Sequence, residues 1–228
     1  MKKILISLIA AVFVLGMTVA AEAALISFLY EDAFSGVDGD TSAWSSSDAQ
    51  VELAESWSLL NGNAAVYGYS TISPDAVSGT LTQRGTRGLG ILGNENDEVD
   101  YINTKEGIKI VFNTDYYLTS LEVRSLFNES DGIEEARINL KNDGVRIDWI
   151  DLLGVQSPGT DGIVQYVLAE PVLVDELRFT IAQDSEAKDF SEFALARLNV
   201  NPVPEPATLI LLGSGLLGLA GLRKKKKI

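Results

Sequence analysis

Apolar and polar residues alternate with a period of two along much of this chain. In segments 108–112, 136–140, 177–181 and 194–200 every second residue is apolar. Successive side chains of a strand point to opposite faces, so each segment is predicted to be a strand with one buried face. Less regular apolar runs predict further strands at 25–30, 51–53, 64–69, 118–123, 145–152 and 163–168.

Turn-forming residues separate the predicted strands. The clearest are Asn142-Asp143-Gly144, which stand between two apolar runs and predict a β-hairpin. About ten short strands with turns at this spacing predict an all-β fold, an antiparallel β-sandwich of jelly-roll-like type. No segment has the period of a long amphipathic helix, and one or two helical turns are an alternative for 49–60. Residues 24–201 are compatible with a single ectodomain.

Residues 1–23 have the pattern of a secretory signal peptide. Lys2 and Lys3 precede an apolar stretch at 4–19, and Ala21-Glu22-Ala23 fits the small-x-small cleavage pattern. We therefore predict export through the Sec machinery and cleavage after Ala23. A retained N-terminal membrane helix is the alternative.

Residues 202–228 combine a proline-rich turn, an apolar segment and a basic end. Pro204, Glu205 and Pro206 precede the apolar residues 207–222. As a helix this segment would extend about 24 Å, against about 30 Å for the hydrocarbon core of a bilayer, so we predict a short transmembrane helix. The basic residues of 223–227 are expected to stay on the cytoplasmic side of the inner membrane. They are Arg223, Lys224, Lys225, Lys226 and Lys227.

The order of these parts closely resembles the PEP-CTERM sorting domain of Gram-negative bacteria. Pro204-Glu205-Pro206, then Ala207-Thr208-Leu209, a glycine-rich apolar segment and a basic cluster follow one another as in that family. The resemblance implies processing by an exosortase, a membrane-embedded cysteine protease or transpeptidase, in cells that make exopolysaccharide. Segments 88–90, 96–100 and 106–112 are similar, less specifically, to ectodomains of the same family, which implies a β-sandwich.

Acidic residues are concentrated between the two ends of the chain. The whole sequence has 18 basic and 32 acidic residues. Residues 1–23 contain two basic and one acidic residue and 207–228 contain five basic ones, which leaves 11 basic and 31 acidic residues in 24–206, a formal charge near −20. Such a domain repels phosphate backbones, so nucleic-acid binding is not expected.

Histidine and cysteine are both absent from the sequence. Their absence excludes Ser-His-Asp and Cys-His nucleophiles and the usual zinc sites. We therefore expect a non-catalytic protein without a cofactor. Hydrolysis by a pair of carboxylates is the enzymatic alternative, and no motif identifies such a pair.

One acidic segment is a candidate calcium site. Asn96, Asp97 and Asp100 place oxygen ligands close together in the sequence, and Asp38-Gly39-Asp40 is a second, smaller cluster. Calcium requires six to eight oxygen ligands, which loops supply through side chains and carbonyl groups. A solvated acidic loop is the alternative for both.

Several aromatic residues are candidates for stacking on sugar rings. Tyr116 and Tyr117 follow Asp115 in a predicted loop and are the candidate exposed pair. Tyr67 and Tyr69 share one face of a strand, which is compatible with either sugar contact or the core. Trp149 lies in an alternating segment and is predicted to belong to the core.

Together these features predict an exported, exosortase-processed surface or matrix protein. Its precursor is expected in the inner membrane and its mature form in the cell envelope or extracellular matrix, in contact with exopolysaccharide. The alternative is a secreted polysaccharide hydrolase or lyase on a jelly-roll scaffold. A buried acidic pair in a cleft beside an aromatic surface would favour the enzyme.

Overall fold

The computed structural model describes residues 23–42, 44, 51–53, 56–70, 79–92, 98–100, 106–129, 132–156, 161–182 and 191–203. Residues 23–202 form one compact unit. Residues 1–22 and 203–228 form a second unit, of which the structure describes Val203. The described part is all-β, as predicted, with one short 3₁₀ turn at Tyr30–Asp32. The strands are β1 (Ala24–Ser27), β2 (Val51–Glu52), β3 (Ser56–Leu59), β4 (Ala64–Ser70), β5 (Leu81–Arg84), β6 (Gly88–Ile91), β7 (Val99–Asp100), β8 (Glu106–Arg124), β9 (Phe127–Glu129), β10 (Gly132–Ile133), β11 (Glu135–Asn142), β12 (Val145–Leu153), β13 (Val155–Gln156), β14 (Val164–Ile181) and β15 (Glu192–Pro202).

The predicted signal peptide, apart from Ala23, and the predicted transmembrane helix lie outside the described residues. Among the residues that are described, no helix is long and apolar enough to cross a membrane. Both targeting segments therefore stay predictions.

Two strands are much longer than the sequence pattern predicted. β8 has 19 residues and β14 has 18, whereas the pattern predicted two short strands within each. The register of β14 against β8 shifts between Val167 and Val172 and again between Val174 and Glu176. Pro171 lies inside the first shift, where the missing N–H of proline costs no ladder hydrogen bond. Alternation of apolar residues breaks at such shifts, so the pattern divided each strand in two.

The long strands run through two layers. In the first layer the hydrogen-bonded order is β3-β4-β8-β14-β11-β12, and it uses residues 106–112 of β8. In the second layer residues 116–124 of β8 lie between β14 and β15. β15 also pairs with β1, β6 and β7, and β6 continues to β5 and β2.

The inner faces of both layers meet in one apolar cluster. Ile108 and Ile110 of the first layer and Leu121 and Leu198 of the second are buried in it. Two layers that share one core have the arrangement of a β-sandwich. Strand pairing in the described sheets is antiparallel, as predicted, except between β9 and β13. The jelly-roll-like connectivity stays a prediction.

The hairpin predicted at Asn142-Asp143-Gly144 is confirmed. Asn142 pairs with Val145, and the two loop residues Asp143 and Gly144 have φ angles of 52° and 72°. Two successive positive φ angles are typical of a type I′ turn, which favours Asn or Asp followed by Gly. The helical alternative for 49–60 is wrong where the chain is described, because β2 and β3 occupy it.

Asp38 fixes the hairpin between β3 and β4. Its carboxylate accepts hydrogen bonds from Ser58 Oγ at 2.7 Å and from the backbone N–H groups of Asn61 at 2.6 Å and Gly62 at 2.7 Å. Burial alone would raise the pKa of Asp38, but these three donors outweigh it and the pKa is lowered. The carboxylate that the sequence marked as a second calcium candidate therefore has a structural role.

We predict that Asp38→Ala destabilises the domain by about 1–3 kcal/mol, because two turn N–H groups and one hydroxyl lose their acceptor. Urea unfolding at neutral pH measures the change. Asp38→Asn keeps one acceptor oxygen and is expected to lose less. Equal stability of all three proteins would contradict the assigned role.

Candidate functional site

The structure corrects the prediction for the tyrosine pair. Tyr116 and Tyr117 lie within β8 and not in a loop. The Tyr116 ring is buried, 6% exposed, and packs on Phe112 with 4.9 Å between ring centroids. Tyr117 is 37% exposed and pairs with Asn201 of β15. As neighbours in a strand the two rings point to opposite faces, so Tyr117 alone is available for contact with a ligand.

Among the other aromatic residues, the prediction for Trp149 is wrong. Trp149, predicted to lie in the core, is 48% exposed on the outer face of β12. Tyr69 is buried, whereas Tyr67 on the same face of β4 is half-buried. Trp44 belongs to the core and contacts Trp57 with 5.5 Å between ring centroids. Alternation identified the two faces of each strand but did not show which face is covered.

The calcium candidates and the sorting motif fall largely outside the described residues. Asn96 and Asp97 are not described, and the side chain of Asp100 is not described although its backbone belongs to β7. Within the described ranges, no group of three or more Asp or Glu side chains is placed to hold a metal ion. The calcium site therefore stays a prediction, as do the roles of Pro204, Glu205, Pro206, Ala21 and the basic residues 223–227.

A polar pocket lies on the second layer, across β14, β8 and β15. Its volume is about 140 Å³. Gln165 pairs with Glu122, and Glu122 pairs with Arg197, so these three side chains form one row across the three strands. The pocket is lined by Ser120, Leu121, Glu122, Gln165, Tyr166, Val167, Arg197 and Asn199.

A second row lies beside the first on the same outer face. Val167 pairs with Ser120, and Ser120 pairs with Asn199, whose side-chain amide donates to Ser120 Oγ at 2.8 Å. Beyond the buried pair Leu118–Val200, Tyr117 and Asn201 form the next pair on this face of β8 and β15. An exposed aromatic ring therefore stands on the same face as the pocket, one row away.

The charged groups of the pocket neutralise one another. Glu122 is buried and accepts hydrogen bonds from Arg124 Nε at 2.9 Å, Gln165 Nε2 at 2.8 Å and Arg197 Nη1 at 2.8 Å. Burial raises the pKa of Glu122, but these donors outweigh burial and leave the pKa lowered. Arg197 is held further by ion pairs with Asp32 and Glu31. The carboxylate is therefore ionised at neutral pH and fully engaged, so it is poorly suited to act as a general acid.

What the pocket offers a ligand is a set of neutral hydrogen-bonding groups. The side-chain amide of Gln165 donates a hydrogen bond to Glu122, and that of Asn199 donates one to Ser120. Gln165, Asn199 and Ser120 line the pocket, carry no formal charge, and each has a side-chain oxygen that can accept a hydrogen bond. Neutral donors and acceptors beside an exposed aromatic ring suit the hydroxyl groups and the apolar face of a sugar.

Sequence reasoning did not find this pocket. Arg197 and Asn199 were recognised as the polar positions of an alternating strand, but no motif marks Ser120, Glu122 or Gln165. The pocket depends on β14, β8 and β15 being neighbours in a defined register, which a single sequence does not reveal.

The C-terminal segment is identified by comparison with known families. Residues 202–226 match the PEP-CTERM protein-sorting motif. The resemblance predicted from Pro204-Glu205-Pro206 is thereby confirmed, and the chain carries a motif for protein sorting in its last residues. The match covers the tail and does not describe the β-domain.

Two solved structures show a distant similarity to this chain. A family 32 carbohydrate-binding module of NanJ from Clostridium perfringens, in complex with galactose, has 15% identity and a TM-score of 0.35, covering 67% of this chain and 98% of that one. An F5/8 type C domain from Bacteroides fragilis has 15% identity and a TM-score of 0.28, covering 44% and 67%. Such TM-scores are too low to assign a fold or a ligand to this chain. Among curated proteins, no relative matches the sequence.

Glu98 is a buried carboxylate outside the pocket. Its Oε1 accepts from Arg87 Nη1 at 2.7 Å, whereas its buried Oε2 has no hydrogen-bond partner. Burial, together with repulsion from Glu192, raises the pKa of Glu98 to about 7 in spite of Arg87 and Ser125. The folded protein therefore holds a proton at Glu98 over a pH range in which the unfolded chain has released it.

We predict that this carboxyl lowers stability as pH rises from about 4.5 to about 7. The shift corresponds to roughly 3 kcal/mol, because one pKa unit is worth about 1.4 kcal/mol. Glu98→Gln keeps an acceptor for Arg87 and cannot ionise, so the variant should gain stability relative to the natural protein across this range. Urea unfolding of both proteins at pH 5 and pH 8 measures the difference, and a difference independent of pH would contradict the prediction.

Proposed function

We propose that the protein is an exported, exosortase-processed component of the extracellular polymer matrix whose β-domain binds exopolysaccharide without catalysis. The observation that carries this proposal is the sorting motif at 202–226. A motif of this kind implies a precursor anchored in the inner membrane of a Gram-negative bacterium, with the β-domain on the outer side. The signal-peptide pattern of 1–23 supports the same route.

The polar pocket supports polysaccharide as the ligand. It lies across three strands and offers amide groups from Gln165 and Asn199 and a hydroxyl group from Ser120. The neighbouring Tyr117 ring adds an apolar surface of the kind that sugars stack on.

The charged groups of the pocket support binding and not catalysis. Glycoside hydrolysis requires one carboxylic acid that is protonated at working pH beside a second, ionised carboxylate. The pKa values of both Glu122 and Asp32 are lowered, and each carboxylate is bound to Arg197. Glu98, whose pKa is raised, is not among the residues that line the pocket.

Processing is tested by changing the Pro-Glu-Pro motif before the apolar segment. Pro204→Ala with Glu205→Ala should leave uncleaved precursor in the inner membrane, because the sorting motif no longer matches the processing enzyme. Intact mass and fractionation of the cells measure the outcome. A variant released as efficiently as the natural protein would count against exosortase processing.

Binding is tested on the polysaccharide that the host cell secretes. Gln165→Ala with Asn199→Ala removes two hydrogen-bonding groups from the pocket and should weaken retention by roughly tenfold or more, at about 1 kcal/mol for each neutral hydrogen bond. Thr114→Ala, which changes an exposed polar residue of β8 outside the pocket, is the matched control. Equal retention of both variants would remove the pocket from the binding site.

A further inference from the structure

Five side chains form a continuous row on the outer face of the first layer. Tyr67 pairs with Lys109, Lys109 with Arg178, Arg178 with Asn139, and Asn139 with Trp149. Residues directly opposite in antiparallel strands point to the same side of the sheet. At about 4.8 Å between neighbouring strands, the row extends about 19 Å. This length suits an extended polymer better than a small molecule.

An exposed or half-exposed aromatic ring lies at each end of the row, and at least one cation lies over each ring. Lys109 Nζ is 5.0 Å from the centroid of the Tyr67 ring. The guanidinium carbon of Arg146 is 5.2 Å from the centroid of Trp149, and that of Arg137 is 6.0 Å away. These are cation–π contacts, so each cation lies over its ring and positive charge is held at both aromatic ends of the row.

Basic residues of the ectodomain are concentrated on this face. Residues 24–206 contain 11 basic side chains, and five of them belong to the first-layer strands around the row. The acidic side chains that the register places on the same face are Glu135, Asp151 and Glu176. The face is therefore positive in a domain whose formal charge is near −20. The five basic residues are Lys109, Arg137, Lys141, Arg146 and Arg178.

Internal ion pairs compensate three of these five cations. Arg137 bonds both carboxylate oxygens of Asp151, at 2.6 Å and 2.9 Å. Arg178 and Lys141 share Glu176. Within the part of the chain that the structure describes, neither Lys109 nor Arg146 has an ion-pair partner. The uncompensated positive charge therefore lies beside the two aromatic rings, near opposite ends of the row.

We propose that this row, with Arg146, Arg137 and Lys141 beside it, is a binding surface for an anionic polysaccharide that carries carboxylate groups. We call it the cationic band. The sugar rings contact Trp149 and Tyr67, and carboxylates pair with Arg146 and Lys109. Elsewhere the acidic domain repels an anionic chain, so the charge distribution orients the polymer on this face. The choice of a polysaccharide rests on the proposed function, whereas the location and the charge of the ligand do not.

The charge pattern favours a carboxylated polysaccharide over a nucleic acid. Tight binding of a nucleic acid usually depends on many phosphate contacts and on release of the associated counterions. Two uncompensated cations in a strongly acidic domain supply few such contacts. They are sufficient for a polymer whose sugar rings also stack on the aromatic residues.

The test measures affinity of the full chain, in nonionic detergent, for polygalacturonate, with dextran as the neutral probe and single-stranded DNA as the phosphate probe. Polygalacturonate should bind most tightly, and its affinity should fall as salt is raised. Lys109→Ala with Arg146→Ala should weaken it by about tenfold or more, as should Trp149→Ala. Arg146→Lys keeps the charge and should retain most of the affinity.

Matched controls lie outside the cationic band. Tyr30→Ala removes an aromatic side chain that is 55% exposed, and Ile133→Glu adds a negative charge at a side chain of β10 that is 44% exposed; neither residue lines the pocket. Both should bind polygalacturonate as the natural protein does. Thermal unfolding verifies that each variant is folded, and the affected residues are exposed or half-buried, so little change is expected.

Three results would overturn the proposal: equal affinity for dextran and polygalacturonate, tighter binding of DNA, or unchanged affinity of both band variants. The pocket double variant Gln165→Ala/Asn199→Ala separates the two surfaces. If it loses the host polysaccharide and keeps polygalacturonate, the pocket and the cationic band are independent sites. If the natural protein binds polygalacturonate but not the host polysaccharide, the proposed function fails and the cationic band stands.

Discussion

The hydrogen-bonded ladder between β8 and β14 is the constraint on which the rest of the structure depends. Both strands run through the two layers, so one pair of backbones sets the register of the first layer and of the second. The row that ends in Trp149 and the pocket around Glu122 are each defined by residues opposite one another on these strands. A shift of one residue in this ladder would turn the side chains of both surfaces toward the core.

Local signals in the sequence predicted local features of the structure. The all-β class follows from alternation, and the hairpin at Asp143-Gly144 follows from residues that accept positive φ angles. The sorting motif is also local, because its order of residues is sufficient for recognition. The two long strands were missed because register shifts interrupt the alternation. The position of Trp149 was wrong because alternation separates two faces without showing which face the other layer covers.

Both candidate surfaces are non-local, which explains why the sequence did not reveal them. Gln165, Glu122 and Arg197 are far apart in the chain and meet through strand pairing. The distribution of charge over the surface also depends on strand pairing. The composition shows only that the domain is acidic. The fold shows that basic side chains are concentrated on one face. It also shows that the arginine and glutamate side chains of the pocket form ion pairs with each other. The two surfaces therefore differ in chemistry, one neutral and one positive.

The place of β15 in the sheet has a consequence for biogenesis. This strand is the last of the β-domain, yet it pairs with β8 along much of its length and with β1, the first strand, where Val200 lies opposite Ala24. The second layer cannot be completed until residues near 200 are available to pair with β1 and β8. On the proposed export route, this dependence keeps the ectodomain from completing its fold before its last strand has been synthesised.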